Sequence, residues 1–286
     1  MEKFERINGN EIAQAIKDNV KQNIEKDYIS KGLEVPCLAC IIVEGNSASE
    51  VYVASKEKSC NACGMKSKIV RLPNDVSQDK LESVILDLNN DSEVSGILLQ
   101  LPLPEHLNSD SAINKIDPSK DVDCLTNQNL GELFSATGKI APCTATGIIK
   151  ILKHQNVEIS GKRAVVIGRS LLVGKSVANL LEQNNATVTI CHSRTQNMKE
   201  ITKQADILVV AIGKTEYIDS EYIKEGAVVI DVGINRTEQG LKGDVNYESA
   251  CTVCSQITPV PGGVGPLTVA CLMENTLILD KLKKGI

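Results

Sequence analysis

Short apolar runs alternate along the chain with longer stretches in which apolar residues recur at helical spacing. Runs of the first kind predict β-strands, and stretches of the second kind predict amphipathic helices. The predicted strands are Cys37–Val43, Lys66–Leu72, Ser95–Leu99, Arg163–Ile167, Thr187–Cys191, Asp206–Val210, Ala227–Val232 and Cys254–Ile257. The predicted helices are Glu11–Glu25, Ser47–Cys60, Val76–Leu88, Thr144–His154, Val173–Gln183, Met198–Gln204 and Leu267–Lys283. This alternation indicates an α/β protein with parallel sheets and crossover helices.

Length and composition narrow the class of protein. A chain of 286 residues suggests two domains, and its 42% hydrophobic content is ample for a packed core. The formal net charge is −5, no basic stripe occurs and aromatic residues make up 2%, so we expect no nucleic-acid binding. The first residues form no apolar signal sequence, and no run of about 18 apolar residues occurs. We therefore expect a cytoplasmic protein with no membrane partner.

Ten cysteines raise the question of a metal site. The pairs Cys37/Cys40 and Cys60/Cys63 have the spacing of a zinc ribbon. However, Cys37 and Cys40 lie in a predicted strand, where positions three apart face opposite sides of the sheet. We therefore expect no metal site, and reduced thiols in a cytosolic compartment.

The segment Thr258–Thr268, TPVPGGVGPLT, contains three prolines and three glycines. A loop so rigid and so poor in side chains lets a ligand approach the backbone closely. It joins an apolar strand to a helix, and in an open α/β sheet such junctions lie at the ligand-binding carboxyl edge. A tight connecting turn is the alternative. We also expect that Leu101–Pro102, Val260–Pro261 or both are cis peptide bonds.

A second glycine-containing turn, GRSLLVGKS, lies between a predicted strand and a helix. Gly168 ends the strand and Gly174 opens the helix, a spacing wider than the usual GxGxxG. A glycine turn at a helix N-terminus suits a pyrophosphate. NAD-binding proteins usually carry an acid at the end of the next strand, but CHSRT at 191–195 has none. Together with Arg169 in the turn, this favours NADP, although a solvated surface arginine is the alternative for Arg169.

Three segments of the first half carry further candidate groups. Tyr52 and Lys56 are four residues apart and share a helix face, which suits binding of a flat ring and transfer of a proton. Gln100 ends an apolar strand in QLPLP, and Asp123 lies in the charged loop KDVDC. Each group has an alternative interpretation. Tyr52 and Lys56 are then an ordinary exposed pair, Gln100 is a simple strand terminator, and the KDVDC aspartates are solvated loop carboxylates.

Several segments resemble, in the same order, those of the bifunctional methylenetetrahydrofolate dehydrogenase/methenyltetrahydrofolate cyclohydrolase family. They are EGNSASEVYVASKEKSC, GILLQLPLP, KDVDC, PCTATG, GRSLLVG, CHSRT, DVGIN, GDVNY and TPVPGGVGPLT. The resemblance implies a catalytic, folate-binding domain over residues 1–143, joined by a returning helix over 267–286. It further implies an NADP-binding Rossmann domain over 144–266, a cleft between the domains, and a homodimer formed through the Rossmann domain.

The resemblance also implies the reactions and the residues that carry them. Such an enzyme oxidises 5,10-methylenetetrahydrofolate with NADP and hydrolyses the methenyl product to 10-formyltetrahydrofolate. Lys56 is then the catalytic amine, Gln100 its hydrogen-bond partner, Tyr52 a ring contact and Asp123 the acceptor for the pterin. The other implied folate contacts are Leu101, Pro102, Pro261, Gly262 and Gly263. The implied cofactor contacts are Gly168, Arg169, Ser170, Val173, Gly174, His192, Ser193, Thr195 and Ile234, of which Arg169, Ser170 and Ser193 match positions that meet the 2′-phosphate.

Three positions depart from the family pattern. Ala145 and Ser176 stand where proline is usual, and Asn246 stands in GDVNY in place of an acid. These changes remove no catalytic group, but they leave the balance of the two activities and the NADP preference open. Three alternatives to a bifunctional enzyme stay open. They are a cyclohydrolase with weak dehydrogenase activity, a shikimate-dehydrogenase-like NADP oxidoreductase and a non-enzymatic dinucleotide sensor.

Overall fold

The structure, a computed structural model, describes residues 4–286, apart from the side chains of residues 47 and 48. The strands are β1 Glu5–Arg6, β2 Cys37–Val43, β3 Lys66–Leu72, β4 Gly96–Leu99, β5 Arg163–Ile167, β6 Thr187–Cys191, β7 Ile207–Val210, β8 Val228–Asp231, β9 Asn235–Thr237, β10 Gly240–Lys242 and β11 Gln256–Ile257. The α-helices are α1 Gly9–Asp27, α2 Ser47–Cys63, α3 Gln78–Asn90, α4 Ser109–Ile113, α5 Asn127–Phe134, α6 Cys143–His154, α7 Ser176–Gln183, α8 Met198–Thr202, α9 Tyr247–Ala250 and α10 Val264–Lys284.

The chain divides into two compact units. The first unit comprises Gln14–Ala141 and Val269–Ile286, and the second comprises residues 4–13 and Pro142–Thr268. The N-terminal segment therefore differs from the sequence-based expectation, which placed it with the first 143 residues. The reason is that β1 pairs in parallel with β11, and this pairing attaches β1 to the sheet of the second unit.

A three-stranded parallel sheet with the order β3-β2-β4 forms the centre of the first unit. All seven residues of β2 are buried, as expected for a central parallel strand covered on both faces. Helix α3 packs its buried face, which includes Leu81, Ile85 and Leu88, into the same core. Since β2 and β4 are parallel, the residues that follow them emerge at one edge of the sheet.

The second unit contains a six-stranded parallel sheet with the order β1-β11-β8-β7-β5-β6. Strands β7 and β8 are entirely buried, and β5 is buried except for its first residue. Ile167 pairs with both Cys191 and Val210, and Val210 pairs with Asp231. The segments after β5, β6, β7 and β8 therefore leave the sheet at the same carboxyl edge. Both units confirm the predicted α/β class.

Some element boundaries differ from the predictions. The helix predicted to start at Val173 begins with a π-helical turn over Leu171–Lys175, in which the Ser176 hydroxyl donates to the Leu171 carbonyl at 2.5 Å. The strand predicted from Cys254 starts only at Gln256, because the Cys254 N–H donates to the Ala250 carbonyl and ends a helical turn. Helix α5 and the β9–β10 hairpin lie in segments for which no element was predicted.

The ten cysteines are all free thiols, and nine of them are buried. Burial raises the pKa of Cys60 to about 12 and that of Cys63 to about 11. Within residues 4–286, no group of three or more His, Cys, Asp or Glu side chains is arranged to hold a metal ion. In the same part of the chain, no helix combines the length and the apolarity that crossing a membrane requires.

Candidate active site

Helix α2 carries the predicted Tyr–Lys pair in its middle. Tyr52 and Lys56 are one helical turn apart, so their side chains lie on one face. The Tyr52 side chain is 40% exposed, whereas Lys56 is half-buried. A phenol ring thus remains accessible beside an amine that is partly withdrawn from water.

Gln100, the first residue after β4, meets this amine. Its backbone N–H donates to the Ile41 carbonyl at 2.9 Å, which continues the β2–β4 pairing by one residue. Its Oε1 accepts a 2.8 Å hydrogen bond from Lys56 Nζ, and its Nε2 donates to the Leu101 carbonyl at 2.6 Å. Only the nitrogen of the Gln100 amide can donate to the Leu101 carbonyl, so this hydrogen bond fixes the orientation of the amide. The amide oxygen therefore faces Lys56. The hydrogen bond that the family resemblance implies is therefore present.

Asp123 lies in the segment that runs beside β4. The Ile97 N–H donates to the Lys120 carbonyl at 2.7 Å, which adds a short parallel bridge to the sheet. Burial raises the pKa of the Cys40 thiol in β2 to about 11, while the charge of Lys56 lowers it and that of Asp123 raises it. Because Ile97 pairs in parallel with Asp121, the segment with Asp123 leaves the sheet at the same edge as Gln100, the partner of Lys56.

The neighbours of Asp123 correct the interpretation of KDVDC as a solvated loop. Lys120 is buried, its burial lowers its pKa, and its ammonium donates to three carbonyls at the end of α3. These carbonyls belong to Leu88, Asn89 and Asp91, at 3.0, 2.7 and 2.7 Å. Asp121 is also buried, and its Oδ2 accepts from Thr126 N and Asn129 Nδ2 at 2.8 and 3.0 Å. Two buried charges thus fix the backbone that carries Asp123.

The proline-rich segments have the unusual backbone that was predicted for them. Leu101–Pro102 and Val260–Pro261 are both cis. A Cβ built on Gly263 would lie 2.5 Å from the Pro259 carbonyl oxygen, so this position accepts only glycine. The TPVPGG loop is therefore a tightly folded, nearly bare stretch of backbone at the start of α10.

The turn after β5 brings two glycines into contact. A Cβ on Gly174 would lie 2.3 Å from the Gly168 carbonyl oxygen and 2.8 Å from the Arg169 nitrogen, so the helix start packs directly on the turn. The Ser170 hydroxyl accepts the N–H groups of Val173 and Gly174, both at 3.4 Å. A hydroxyl that accepts in this way still has its own proton for another acceptor.

Arg169 and Ser193 follow neighbouring strands, because β5 and β6 pair up to Ile167 and Cys191. Both side chains are exposed, and within the described residues the Arg169 guanidinium has no hydrogen-bond or ion-pair partner. The loop with Ser193 is closed by two 2.8 Å bonds, from His192 N to Thr195 Oγ1 and from Thr195 N to the His192 carbonyl. An arginine and a hydroxyl at adjacent strand ends, with no acid between them, suit a phosphate.

The predicted site residues thus fall into two sets. The first unit contains Tyr52, Lys56, Gln100, Leu101, Pro102 and Asp123. The second unit contains Gly168, Arg169, Ser170, Val173, Gly174, His192, Ser193, Thr195, Ile234, Pro261, Gly262 and Gly263. Two buried carboxylates of the second unit, Asp231 and Asp244, were not predicted as functional residues. Their only signal in the sequence is an aspartate near a glycine in DVGIN and in GDVNY.

Two family models match the chain. Residues 7–123 match the catalytic domain of tetrahydrofolate dehydrogenase/cyclohydrolase, and residues 142–284 match the NAD(P)-binding domain of the same family. The chain is also 51% identical to the bifunctional protein FolD of Acetivibrio thermocellus over 278 residues, which make up 97% of either protein.

Solved structures of similar proteins have the same fold. The bifunctional FolD methylenetetrahydrofolate dehydrogenase/cyclohydrolase of Campylobacter jejuni is 42% identical, with a TM-score of 0.94 over 98% of this chain and 99% of that one. The Trypanosoma brucei dehydrogenase–cyclohydrolase, solved with NADP and an inhibitor, is 38% identical, with a TM-score of 0.94 over 99% of each chain.

Proposed function

The chain belongs to the tetrahydrofolate dehydrogenase/cyclohydrolase family, and we propose that it catalyses both family reactions with Lys56 as the proton-transfer group. The enzyme oxidises 5,10-methylenetetrahydrofolate with NADP and then hydrolyses 5,10-methenyltetrahydrofolate to 10-formyltetrahydrofolate. The observation that carries the role of Lys56 is its 2.8 Å hydrogen bond to Gln100, which gives the amine a fixed position at the sheet edge.

The dehydrogenase step depends on positioning. When bound, NADP supplies the hydride acceptor, so the protein needs to align folate and cofactor more than it needs to move protons. Tyr52 packs its exposed ring on the folate. Asp123 accepts from adjacent N–H donors of the pterin, which a carboxylate can do with two oxygens at once.

The cyclohydrolase step requires proton transfer. Water adds to the methenyl carbon and loses one proton, which leaves a hydroxyl group on that carbon. The bond from the carbon to N5 then breaks as N5 gains a proton, and the hydroxyl proton leaves to solvent as the formyl C=O forms. The unprotonated Lys56 amine takes up the first proton, and the resulting ammonium, which Gln100 holds, donates a proton to N5, so one group serves both halves of the hydrolysis. Gln100 keeps the amine in place through its amide oxygen.

Selection of NADP over NAD is assigned to the ends of β5 and β6. Arg169 and Ser193 bind the 2′-phosphate, and Ser170 donates its remaining hydroxyl proton. The residues that would hold the rest of the cofactor are the Gly168–Gly174 turn, Val173, His192, Thr195 and Ile234. The unpartnered guanidinium of Arg169 supports this assignment, because an exposed arginine without an ion pair is free to meet a phosphate.

As part of this proposal, the chain forms a homodimer through the second unit. Strand β6 lies at the edge of the six-stranded sheet, and in the described residues it pairs only with β5. Ile190 of this strand is 40% exposed. An open edge with an exposed aliphatic residue is the kind of strand that pairs with a second chain.

One assay of the purified wild-type protein tests the proposed function. The protein is mixed with 5,10-methylenetetrahydrofolate and NADP, and the absorbance of methenyltetrahydrofolate and NADPH is followed. We expect NADPH to form, and the methenyl absorbance to rise and then fall faster than without enzyme. Hydrolysis of added methenyltetrahydrofolate without NADPH formation would support a cyclohydrolase with weak dehydrogenase activity, and neither reaction would contradict the proposal.

A further inference from the structure

Two buried carboxylates lie at the carboxyl edge of the six-stranded sheet. Asp231 is the last residue of β8, and Asp244 follows β10 by two residues. Their side chains are 3% and 0% exposed, respectively. A carboxylate withdrawn from water in this way is tolerated only when it accepts several hydrogen bonds. The hydrogen-bond donors to Asp231 and Asp244 therefore show which parts of the chain these carboxylates hold.

Asp244 ties together two loops. Its Oδ2 accepts from the backbone N–H groups of Ile212 and Gly213 at 2.6 and 2.9 Å. Its Oδ1 accepts from Lys214 N at 2.8 Å and from Asn235 Nδ2 at 2.9 Å. The first three donors follow β7 and the fourth begins β9. Asn235 lies at the end of the segment that follows β8, so one carboxylate fixes the segments that leave the neighbouring strands β7 and β8.

Asp231 holds Asp244 in turn. Its Oδ1 accepts from Gly233 N at 2.9 Å and from Asp244 N at 3.0 Å, and its Oδ2 accepts from Val245 N at 3.0 Å. A Cβ on Gly233 would lie 2.3 Å from the Asp244 carboxylate. The backbone therefore closes around the pair with no space for a larger group.

The loops that Asp244 ties together contact the proposed cofactor site. Ala211, directly before Ile212, donates to the Ile167 carbonyl at 2.8 Å. A Cβ on Gly168 would lie 2.2 Å from the Ala211 carbonyl oxygen, so this loop touches the glycine turn. Ile234, directly before Asn235, lies against Gly265 at the start of α10. Asp244 thus anchors chain segments adjacent to two of the proposed cofactor contacts, Gly168 and Ile234.

From this geometry we infer that Asp244 is a positioning residue for the cofactor and that Asp231 supports it. The inference rests on the proposed dehydrogenase activity. Loops that are ordered before binding spare the cofactor the entropic cost of ordering them. The loops border the glycine turn and Ile234 rather than the turn with Ser193. Loss of Asp244 therefore weakens the binding of NADP and NAD alike.

The Asp244→Asn variant tests this inference. An amide has one acceptor oxygen and an NH₂ group, so two of the four donors lose their acceptor. We expect the KM for NADP and for NAD to rise at least about tenfold, which corresponds to roughly 1.4 kcal/mol. The dehydrogenase kcat at saturating cofactor should change by less than about twofold, because an interaction lost equally from ground and transition states leaves kcat unchanged. Hydrolysis of methenyltetrahydrofolate without cofactor reports whether the first unit is intact.

Two further variants make the outcome decisive. Asp206→Asn is the matched control, because Asp206 accepts from Arg163 N and Lys224 Nζ at the opposite, amino end of β7. It should keep the wild-type KM for both cofactors. Asn235→Ala removes one donor to Asp244 and leaves both buried carboxylates, so it serves if Asp244→Asn does not fold. It should raise both KM values by about threefold, as expected for one hydrogen bond.

Several outcomes would overturn the inference. One is a KM for both cofactors that stays at the wild-type value in folded Asp244→Asn or in Asn235→Ala. The others are a KM that rises for NADP alone and a KM that rises equally in Asp206→Asn. An equal loss of cyclohydrolase and dehydrogenase activity in Asp244→Asn would also overturn it, since it indicates general unfolding. A wild-type protein that never reduces NADP would instead contradict the proposed function.

Discussion

Lys56 Nζ donates a 2.8 Å hydrogen bond to Gln100 Oε1 and thereby joins the middle of α2 to the end of β4. The same amide donates from Nε2 to the Leu101 carbonyl at 2.6 Å. A flexible lysine on a helix would otherwise sample many rotamers. The amide restricts the amine to one position, and this restriction suits a group that transfers protons at a fixed substrate atom.

Gln100→Ala should therefore impair hydrolysis more than folate binding. The change releases Lys56 from its partner, and a hydrogen bond to a charged group is worth roughly 1.5–3 kcal/mol. We expect the cyclohydrolase kcat to fall about ten- to a hundredfold, with a smaller change in the KM for folate. Steady-state kinetics with methenyltetrahydrofolate measures both. Gln128→Ala, at an exposed position of α5, is the control, and equal kinetics in the two variants would contradict the role of Gln100.

The two aspartates of KDVDC should give different phenotypes. Asp123→Ala should raise the KM for folate in both reactions, because it removes a contact that both use. Asp121→Asn should instead lower the melting temperature, since the buried Oδ2 accepts from Thr126 N and Asn129 Nδ2. The expected loss of stability is about 1–3 kcal/mol. Calorimetry and kinetics of both variants test this, and a folate KM unchanged in Asp123→Ala would contradict the assignment.

Arg169→Ala should discriminate between the two cofactors. Removing a charge-assisted hydrogen bond to the 2′-phosphate should cost about 1–3 kcal/mol of NADP binding and leave NAD nearly unaffected. The KM values for NADP and NAD report the difference. Arg163→Ala removes an exposed arginine at the opposite, amino end of β5, the strand that Arg169 follows, and should change neither value. An equal loss for NADP and NAD would show that Arg169 does not bind the 2′-phosphate.

Much of the fold could be predicted from the apolar pattern. Strands such as Cys37–Val43 and Thr187–Cys191 have the predicted bounds. Elements whose pairing partners lie far away in the sequence could not be predicted. Strand β1 consists of the two charged residues Glu5 and Arg6, and it is a strand only because β11 lies beside it. Helix α5 is rich in amides, and its start depends on the Thr126 side chain, which accepts from Asn129 N.

The candidate site could be predicted where a motif carries it, as in the Lys56–Gln100 hydrogen bond. The burial of Lys120 was not predictable, because the three carbonyls that accept from it lie at the end of α3, far away in the sequence. The same is true of Asp231 and Asp244. Thirteen positions separate them, and only the closure of the chain around Gly233 brings the Asp244 N–H to the Asp231 carboxylate.

The role of Lys56 in proton transfer is tested most directly by the rate of methenyltetrahydrofolate hydrolysis in Lys56→Met. Methionine keeps most of the apolar stem and removes the amine, so α2 and Tyr52 should stay in place. Lys58→Met, two residues along the same helix at an exposed position, is the matched control. We expect Lys56→Met to lose at least about a hundredfold in rate while the control stays near wild type. Near-normal hydrolysis by a folded Lys56→Met protein would contradict the proposal that this amine transfers the protons.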